Sequence, residues 1–250
     1  AHIFIDEISK KKFRLNENHA WWKELQEKRE KNQQTVKAMS LDKTIPLNYY
    51  AVFHHLRQAI PSDCIIVSEG ANTMDIGRSM LLNDLPRHRL DAGTFGTMGV
   101  GLGFAIAAAL YCRDYHPGKR VICVEGDSAF GFSGMEIETM IRYQLPIIIV
   151  IVNNSGIYSG FSTDDYKSIQ SMGDPTLMTP PTTLNAETHY ENAMKMFGKE
   201  GYFVRTIDEL QAAVKSALIP TDHPSIINVA INPQADRKPL TFAWLTESKL

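Results

Sequence analysis

Apolar and polar positions divide the chain into a polar N-terminal stretch and a longer part in which two patterns alternate. Short runs of consecutive apolar residues, several of them β-branched, predict buried strands. These runs lie at 64–67, 121–124, 146–152, 202–204 and 225–231. Apolar residues at helical spacing predict helices, which lie at 47–59, 104–111, 135–143, 190–197 and 206–219. Fully apolar strands that alternate with helices are typical of an α/β fold, in which helices cover both faces of a mostly parallel central sheet.

Cap residues mark several of the predicted helix ends. Ser133 and Glu136 have the spacing of a capping box at the start of one helix, and Thr206 and Glu209 have it at the start of another. Gly198 follows a third predicted helix as its expected end.

Three segments follow from these patterns. Residues 1–45 are polar and charged, and we interpret them as a linker and an amphipathic helix at 20–39, from the end of a region that precedes this chain. A start without methionine fits a fragment of a longer protein. Residues 46–232 hold the alternating strands and helices and form the predicted main domain. Residues 233–250 are expected to be a C-terminal tail.

Composition and charge exclude several classes of protein. The 250 residues are 44% hydrophobic and 22% charged with a formal net charge of −2, which is ordinary for a globular chain. The balanced charge disfavours a nucleic-acid partner, and no apolar run reaches the roughly 18 residues of a membrane-spanning helix. Cys64, Cys112 and Cys123 lack the spacing of metal ligands and are expected to be buried free thiols.

Polar residues follow two of the predicted strands. Gly126 and Asp127 come just after the strand at 121–124, and Asn154 comes just after the strand at 146–152. In a parallel sheet these strand ends meet at one edge, where ligands bind. Carboxylate and amide oxygens are ligands that Mg²⁺ prefers, and the ion keeps further positions for phosphate oxygens and water. Either segment alone is also typical of a simple turn, but together they indicate a magnesium and phosphate site.

The wider sequence around these residues resembles a known family. The segment 125–136, Glu-Gly-Asp-Ser-Ala-Phe-Gly-Phe-Ser-Gly-Met-Glu, and the later Asn153-Asn154 resemble the fingerprint of thiamine-diphosphate-dependent enzymes, Gly-Asp-Gly followed by Asn-Asn. Ser128 in place of the third glycine is similar to the branch of oxalyl-CoA decarboxylases and 2-hydroxyacyl-CoA lyases. The resemblance implies a three-layer thiamine-diphosphate-binding fold, with thiamine diphosphate and Mg²⁺ as cofactors. It also implies that Asp127, Asn154 and the carbonyl of Gly156 bind the metal.

The resemblance implies further cofactor contacts. The segment 68–75 is similar to the family loop that touches the diphosphate. The glycine-rich segment 93–103 would lie under the cofactor, with Met98 wedged between its two rings and Gly96 and Thr97 near the aminopyrimidine; filling of the core is the alternative role for Met98. No predicted strand directly precedes this segment, and its glycine order is not that of a dinucleotide-binding loop. The other implied contacts are Ala71, Asn72, Thr73, Gly126, Ser128, Ala129, Ile157 and Tyr158.

The resemblance also implies an activity. A lyase of this branch would cleave a 2-hydroxyacyl-CoA to formyl-CoA and an aldehyde one carbon shorter, as in fatty acid α-oxidation. The alternatives are an oxalyl-CoA decarboxylase and a non-catalytic cofactor-binding fragment or subunit. The glutamate that activates the cofactor in this family lies on a separate N-terminal domain, so Glu69, Glu125 and Glu136 receive no such role and the catalytic residues stay unassigned.

The partners and the compartment are further expectations. The family implies a homodimer or homotetramer. Ser248-Lys249-Leu250 has the form of a peroxisomal address, which implies the peroxisomal import receptor as a partner and the peroxisome as the location.

Overall fold

A computed structural model describes residues 2–11 and 14–235. The chain divides into two compact units between Ala38 and Met39. The expected tail signal, Ser248-Lys249-Leu250, lies outside the described residues.

The N-terminal unit is helical and polar. It contains helix α1 (His2–Lys10), and helix α2 (Ala20–Leu41) begins in it. Helix α2 agrees with the prediction for 20–39, whereas α1 was not predicted. The side chains of α1 are exposed, and Lys10 forms an ion pair with Glu7 at 2.6 Å. Such exposed pairs add little to stability.

The second unit is built on a six-stranded sheet. Its strands are β1 (Ile65–Glu69), β2 (Arg89–Asp91), β3 (Val121–Gly126), β4 (Ile148–Asn153), β5 (Tyr202–Val204) and β6 (Ser225–Ala230). They are arranged in the order β2-β1-β3-β4-β6-β5, and all neighbours are parallel. The predicted α/β fold with a mostly parallel sheet is therefore confirmed.

Helices pack against both faces of this sheet. The helices of this unit are α3 (Tyr49–Ala59), α4 (Asn72–Met80), α5 (Gly101–Tyr115), α6 (Asp127–Ser133), α7 (Glu136–Arg142), α8 (Thr163–Ser171), α9 (Pro175–Met178), a 3₁₀ helix (Tyr190–Phe197) and α10 (Ile207–Ala217). Helices α5 and α7 and the 3₁₀ helix share one core with the sheet, while α3, α4 and α10 pack together on the other side. None of the helices within residues 2–11 and 14–235 has both the length and the apolar composition needed to cross a membrane.

The alternation of side chains along the strands explains the three layers. Val121 and Cys123 of β3 belong to the core shared with α5, and the alternate residues, Ile122 and Val124, point to the opposite face. All four are buried. A strand buried on both faces reads as a continuous apolar run, which is why β3 and β4 were predictable.

Some local predictions were wrong. Asn72 was expected in a loop but begins α4, and α6 starts at Asp127 without having been predicted. Because α6 continues to Ser133, that residue is helical and is not the cap of α7; Met135 takes that position without a side-chain hydrogen bond. The capping box at Thr206 is confirmed.

Edge strand β2 was also missed. The prediction that no strand precedes the glycine-rich segment is therefore wrong, because β2 ends at Asp91. The strand carries a single apolar residue, Leu90, between Arg89 and Asp91, so it offers no apolar run to recognise.

Candidate functional site

A cavity of about 150 Å³ opens at the carboxyl ends of β1, β3 and β4, the middle strands of the sheet. Its lining residues are Tyr49, Gly70, Ala71, Asn72, Thr73, Met98, Gly126, Asp127, Ser128, Ala129, Phe132, Asn154, Gly156, Ile157 and Tyr158. The structure therefore brings together all of the residues predicted to contact the cofactor or metal except Gly96 and Thr97. Those two are exposed in the glycine-rich segment and do not line the cavity.

Asp127 is a buried, ionisable residue in the lining of this cavity. It is the first residue of α6 and only 2% exposed. Its Oδ1 accepts a hydrogen bond from the N–H of Ser128 at 2.8 Å, and its Oδ2 accepts one from the N–H of Gly156 at 3.1 Å. Burial raises the pKa of Asp127 to about 7, against the lowering effect of these backbone donors.

No lysine or arginine of the described chain forms an ion pair with Asp127. A buried carboxylate without a cationic partner is unfavourable, and a bound cation would supply the missing charge. The carboxyl of Asp127 therefore fits a metal ligand.

Asn154 offers a second oxygen. It is buried, and its Nδ2 donates to the carbonyl oxygen of Tyr158 at 2.8 Å. Because the amide nitrogen is used within the loop, Oδ1 is the atom left for a cation. Asn72 donates to the same carbonyl at 3.2 Å, so this oxygen ties the loop after β4 to the start of α4.

The loop after β4 is folded tightly upon itself. Ser155 and Tyr158 have left-handed backbone angles, with φ of 60° and 68°, a conformation that costs most residues energy. A Cβ on Gly156 would overlap with the carbonyl oxygen of Ser159, and one on Gly160 would overlap with that of Asn154. Only glycine fits at these two positions.

Residues beyond β6 hold the same loop. The N–H of Gly160 donates to the carbonyl of Pro233 at 2.9 Å, and Nε2 of Gln234 donates to the carbonyl of Gly160 at 2.6 Å. The loop that carries Asn154 is therefore fixed from both sides.

The opposite wall of the cavity is formed by the end of β1 and the start of α4. Gly70 has φ of 120°, and a Cβ on Gly126 would lie 3.2 Å from the hydroxyl oxygen of Thr73. The end of β3 therefore lies close to the first turn of α4. Helix α4 begins at Asn72, so its first backbone N–H groups and the Thr73 hydroxyl are available to an anion.

Beneath this wall lie two buried carboxyl groups, Glu69 and Glu125, which are opposite each other in the pairing of β1 with β3. Burial, together with the charge of Glu69, raises the pKa of Glu125 to about 8. The Sγ of Cys123 donates to Glu125 at 3.3 Å. Glu69 instead accepts hydrogen bonds from the glycine-rich segment.

Several residues of this region were not predicted, among them Tyr49, Gly70 and Phe132 in the lining and Glu69 below it. Tyr49 lies on a helix that was predicted only for its apolar face. Glu69 could have been found from the sequence, because it lies two residues after the apolar run at 64–67, and a charged residue buried at a strand end requires a partner.

Comparisons with known proteins agree with this geometry. A family profile described as "Thiamine pyrophosphate enzyme, C-terminal TPP binding domain" matches residues 69–229. The chain belongs to this family. It is 54% identical over 246 residues to 2-hydroxyacyl-CoA lyase 1 of Homo sapiens, covering 98% of this chain and 43% of that protein. It is 43% identical over 210 residues to oxalyl-CoA decarboxylase of Escherichia coli (strain K12), covering 83% of this chain and 35% of that protein.

A solved structure shares the fold of this thiamine pyrophosphate-binding domain. The benzoylformate decarboxylase from Polynucleobacter necessarius superposes with a TM-score of 0.65 at 22% identity, covering 80% of this chain and 35% of that chain. The chain spans less than half the length of these relatives.

The donor set of the domain suits a hard cation held by few side chains. Among the residues that the structure describes, no three His, Cys, Asp or Glu side chains come together as a metal site. A cation at Asp127 would instead be held by one carboxylate, the amide oxygen of Asn154 and the carbonyl of Gly156. This set leaves positions for phosphate oxygens and water, as Mg²⁺ requires.

Proposed function

We propose that the protein containing this chain is a carbon–carbon lyase that cleaves a 2-hydroxyacyl-CoA to formyl-CoA and an aldehyde one carbon shorter. The observation that carries this proposal is the 54% identity to a 2-hydroxyacyl-CoA lyase over 98% of the chain. Plant relatives with the same description support it, for example the one from Oryza sativa subsp. japonica at 41% identity over 92% of this chain.

Asp127, Asn154 and the carbonyl of Gly156 would hold Mg²⁺, and the diphosphate of the cofactor would bind that ion. The hydroxyl of Thr73, the side chain of Asn72 and the N–H groups at the start of α4 face the same space. They would complete the diphosphate site through hydrogen bonds to its oxygens.

Thiamine diphosphate supplies a nucleophilic carbon and an electron sink, and the protein supplies orientation and electrostatics. Met98 and Ile157 are two apolar side chains of the cavity that would position the rings, and Tyr158 lines the same cavity. Gly96 and Thr97 would approach the aminopyrimidine only from the exposed segment. Asp127 and Asn154 stay shielded from water, which strengthens their interaction with a bound cation.

The remaining expectations belong to the whole protein. The activating glutamate would come from a domain that precedes this one, in a homodimer or homotetramer. Ser248-Lys249-Leu250 would direct the protein to the peroxisome through its import receptor. The division into residues 1–45, 46–232 and 233–250 also stays a prediction.

The metal site is tested by calorimetric titration of thiamine diphosphate in the presence of Mg²⁺. Wild-type protein should bind, and Asp127→Ala should lose the metal-dependent binding. The matched control is Asp222→Ala, an exposed aspartate outside the cavity, which should bind like wild type. Equal binding by wild type and Asp127→Ala would contradict the metal site.

The oxalyl-CoA decarboxylase alternative is supported by the 43% identity to the Escherichia coli enzyme. Full-length protein with both cofactors should be assayed on a 2-hydroxyacyl-CoA and on oxalyl-CoA. Release of an aldehyde from the first substrate supports the lyase, whereas preferred release of carbon dioxide from oxalyl-CoA contradicts it. A full-length protein that binds the cofactor and turns over neither substrate would indicate a non-catalytic subunit.

A further inference from the structure

A buried carboxylate accepts hydrogen bonds from the backbone of the glycine-rich segment, residues 93–103. Glu69, the last residue of β1, is completely buried. Its Oε1 accepts a hydrogen bond from the N–H of Gly99 and its Oε2 accepts one from the N–H of Gly101, each at 2.5 Å. We infer that Glu69 is a positioning residue that holds Met98 against the cavity and so shapes the site for the rings of the cofactor. This inference rests on the proposed function.

The contact requires a carboxylate. Both oxygens are used, one for each backbone donor, and hydrogen bonds to an ionised acceptor are about twice as strong as neutral ones. A glutamine at this position has one acceptor oxygen, and its NH₂ group would face a backbone N–H. The amide has nearly the same size as the carboxylate, so a substitution by glutamine removes a bond without opening a cavity.

The backbone of the segment comes directly to the carboxylate. A Cβ on Gly101 would lie 2.8 Å from Oε2 of Glu69 and would overlap with Oε1 of Glu125. Gly101 is also the first residue of α5, a helix of 15 residues whose N-cap, Val100, makes no side-chain hydrogen bond. Glu69 therefore does for α5 what a capping side chain does elsewhere, and its negative charge lies where the helix dipole favours it.

Met98 directly precedes Gly99, the first of the two residues whose N–H groups donate to Glu69. Gly96 and Gly99 have φ of 61° and 82°. Glycine adopts positive φ about as readily as negative φ, so these two residues do not by themselves fix the backbone on either side of Met98. Without a fixed contact such a segment would populate several conformers. The hydrogen bond to Gly99 selects the one in which Met98 lines the cavity that also contains Asp127.

The test is a double-mutant cycle on thiamine diphosphate binding with Mg²⁺, measured by calorimetry on the full-length protein. Glu69→Gln should weaken binding about tenfold or more, the size of one lost charge-assisted hydrogen bond. In a Met98→Ala background the same substitution should change the affinity less than about threefold, because its effect passes through Met98. A merely structural role would give the same loss in both backgrounds, and that result would overturn the inference.

Glu125→Gln is the matched control. Glu125 is an equally buried carboxyl at the neighbouring strand end, and its described hydrogen bond is with Cys123 rather than with the glycine-rich segment. The affinity of the Glu125→Gln variant for thiamine diphosphate should stay within about threefold of wild type. A loss equal to that of Glu69→Gln would mean that any change in this buried pair disturbs the site, and would overturn the inference.

Thermal unfolding of each variant without cofactor accompanies the titrations. Should Glu69→Gln not fold, Glu69→Asp replaces it under the same criteria, because it keeps the charge and withdraws the oxygens from the N–H groups. Unchanged cofactor binding by the folded variant also overturns the inference. Wild-type protein that binds no thiamine diphosphate would instead contradict the proposed function itself.

Discussion

The backbone N–H of Gly156 donates to Oδ2 of Asp127 at 3.1 Å across 29 residues of sequence. This hydrogen bond joins the loops that follow two neighbouring parallel strands, β3 and β4. It places the Asp127 carboxyl and the backbone of Gly156 in one site. The carboxylate of Asp127 is a negative charge in a buried position. Such a charge destabilises the metal-free protein and favours the binding of a cation.

Asp127→Asn should therefore separate metal binding from folding. The amide is neutral, so its burial is less unfavourable, and we expect the melting temperature of the metal-free protein to stay within a few degrees of wild type. The rise in melting temperature caused by thiamine diphosphate and Mg²⁺ should disappear; for a ligand at about 100 times its Kd the stabilisation is about 2.7 kcal/mol. Thermal melts with and without both ligands check this, with Asp222→Asn as the exposed control. A retained ligand-dependent rise would refute the role of Asp127.

Gly101→Ala should destabilise the domain. The added Cβ would overlap with Oε1 of the buried Glu125 and press on Glu69, and we expect a loss of about 2 kcal/mol or more in the free energy of unfolding. Gly103→Ala is the matched control in the same helix, because nothing lies within 4 Å of the position that its Cβ would take and the residue is exposed. It should be neutral or stabilising by up to about 1 kcal/mol. Denaturant unfolding of both variants measures the difference, and similar values would contradict the close contact.

Much of the fold could be predicted because the middle strands are buried on both faces. The runs at 121–124 and 146–152 contain no polar residue, so their sequence indicates neither a loop nor a strand with one face in solvent. Strand β2 could not be predicted in this way, since its Asp91 bonds to Arg78 at 3.1 Å rather than packing in the core. The start of α6 was equally hidden, because the helix begins at Asp127 directly after the last residue of β3, Gly126, and no loop separates the two elements.

The candidate site was predictable to the extent that parallel strand ends determine it. Asp127 and Asn154 follow neighbouring strands, so the fold alone brings them together. The partners of Glu69 lie 30 and 32 residues further along the chain, in the loop before α5 and at the first residue of that helix, and no periodicity indicates such a contact. Gly96 and Thr97 were placed by resemblance alone, and the described chain leaves both exposed.

Asn228→Ala should destabilise the domain from a position outside the cavity. Asn228 is completely buried in β6, donates to the carbonyl of Thr188 at 2.9 Å and to Glu191 at 2.8 Å, and accepts from Asn153 at 3.2 Å. Its removal leaves several buried polar groups unsatisfied, and we expect a loss of about 3 kcal/mol. Asn192→Ala, an exposed asparagine of the 3₁₀ helix, is the control and should change stability by less than about 0.5 kcal/mol. A small effect at Asn228 in denaturant unfolding would argue against this buried network.

The three thiols should be unreactive in the native protein. Cys64, Cys112 and Cys123 are all buried and unpaired by disulfides, and burial raises the pKa of Cys64 to about 11. At pH 8 the reactive thiolate of Cys64 is then on the order of one part in a thousand, and this fraction rises with pH. A chromogenic disulfide reagent should label none of the three at pH 8 and all of them in guanidinium chloride. Fast labelling of one thiol in the native protein would contradict its burial.

Gln234→Ala should weaken cofactor binding without contacting the cofactor. Nε2 of Gln234 donates to the carbonyl of the buried Gly160 at 2.6 Å, and this glycine closes the loop that carries Asn154. Loss of this hydrogen bond should destabilise the conformation of the loop by about 1 kcal/mol. The loop already contains two residues with left-handed backbone angles. We therefore expect the affinity for thiamine diphosphate with Mg²⁺ to fall roughly fivefold. The control is Gln211→Ala on α10, whose side chain contacts His55 instead. Titration calorimetry measures the affinity of the two variants for thiamine diphosphate. An equal affinity for both would contradict the prediction, and would mean that the hydrogen bond from the N–H of Gly160 to the carbonyl of Pro233 is enough to hold the loop.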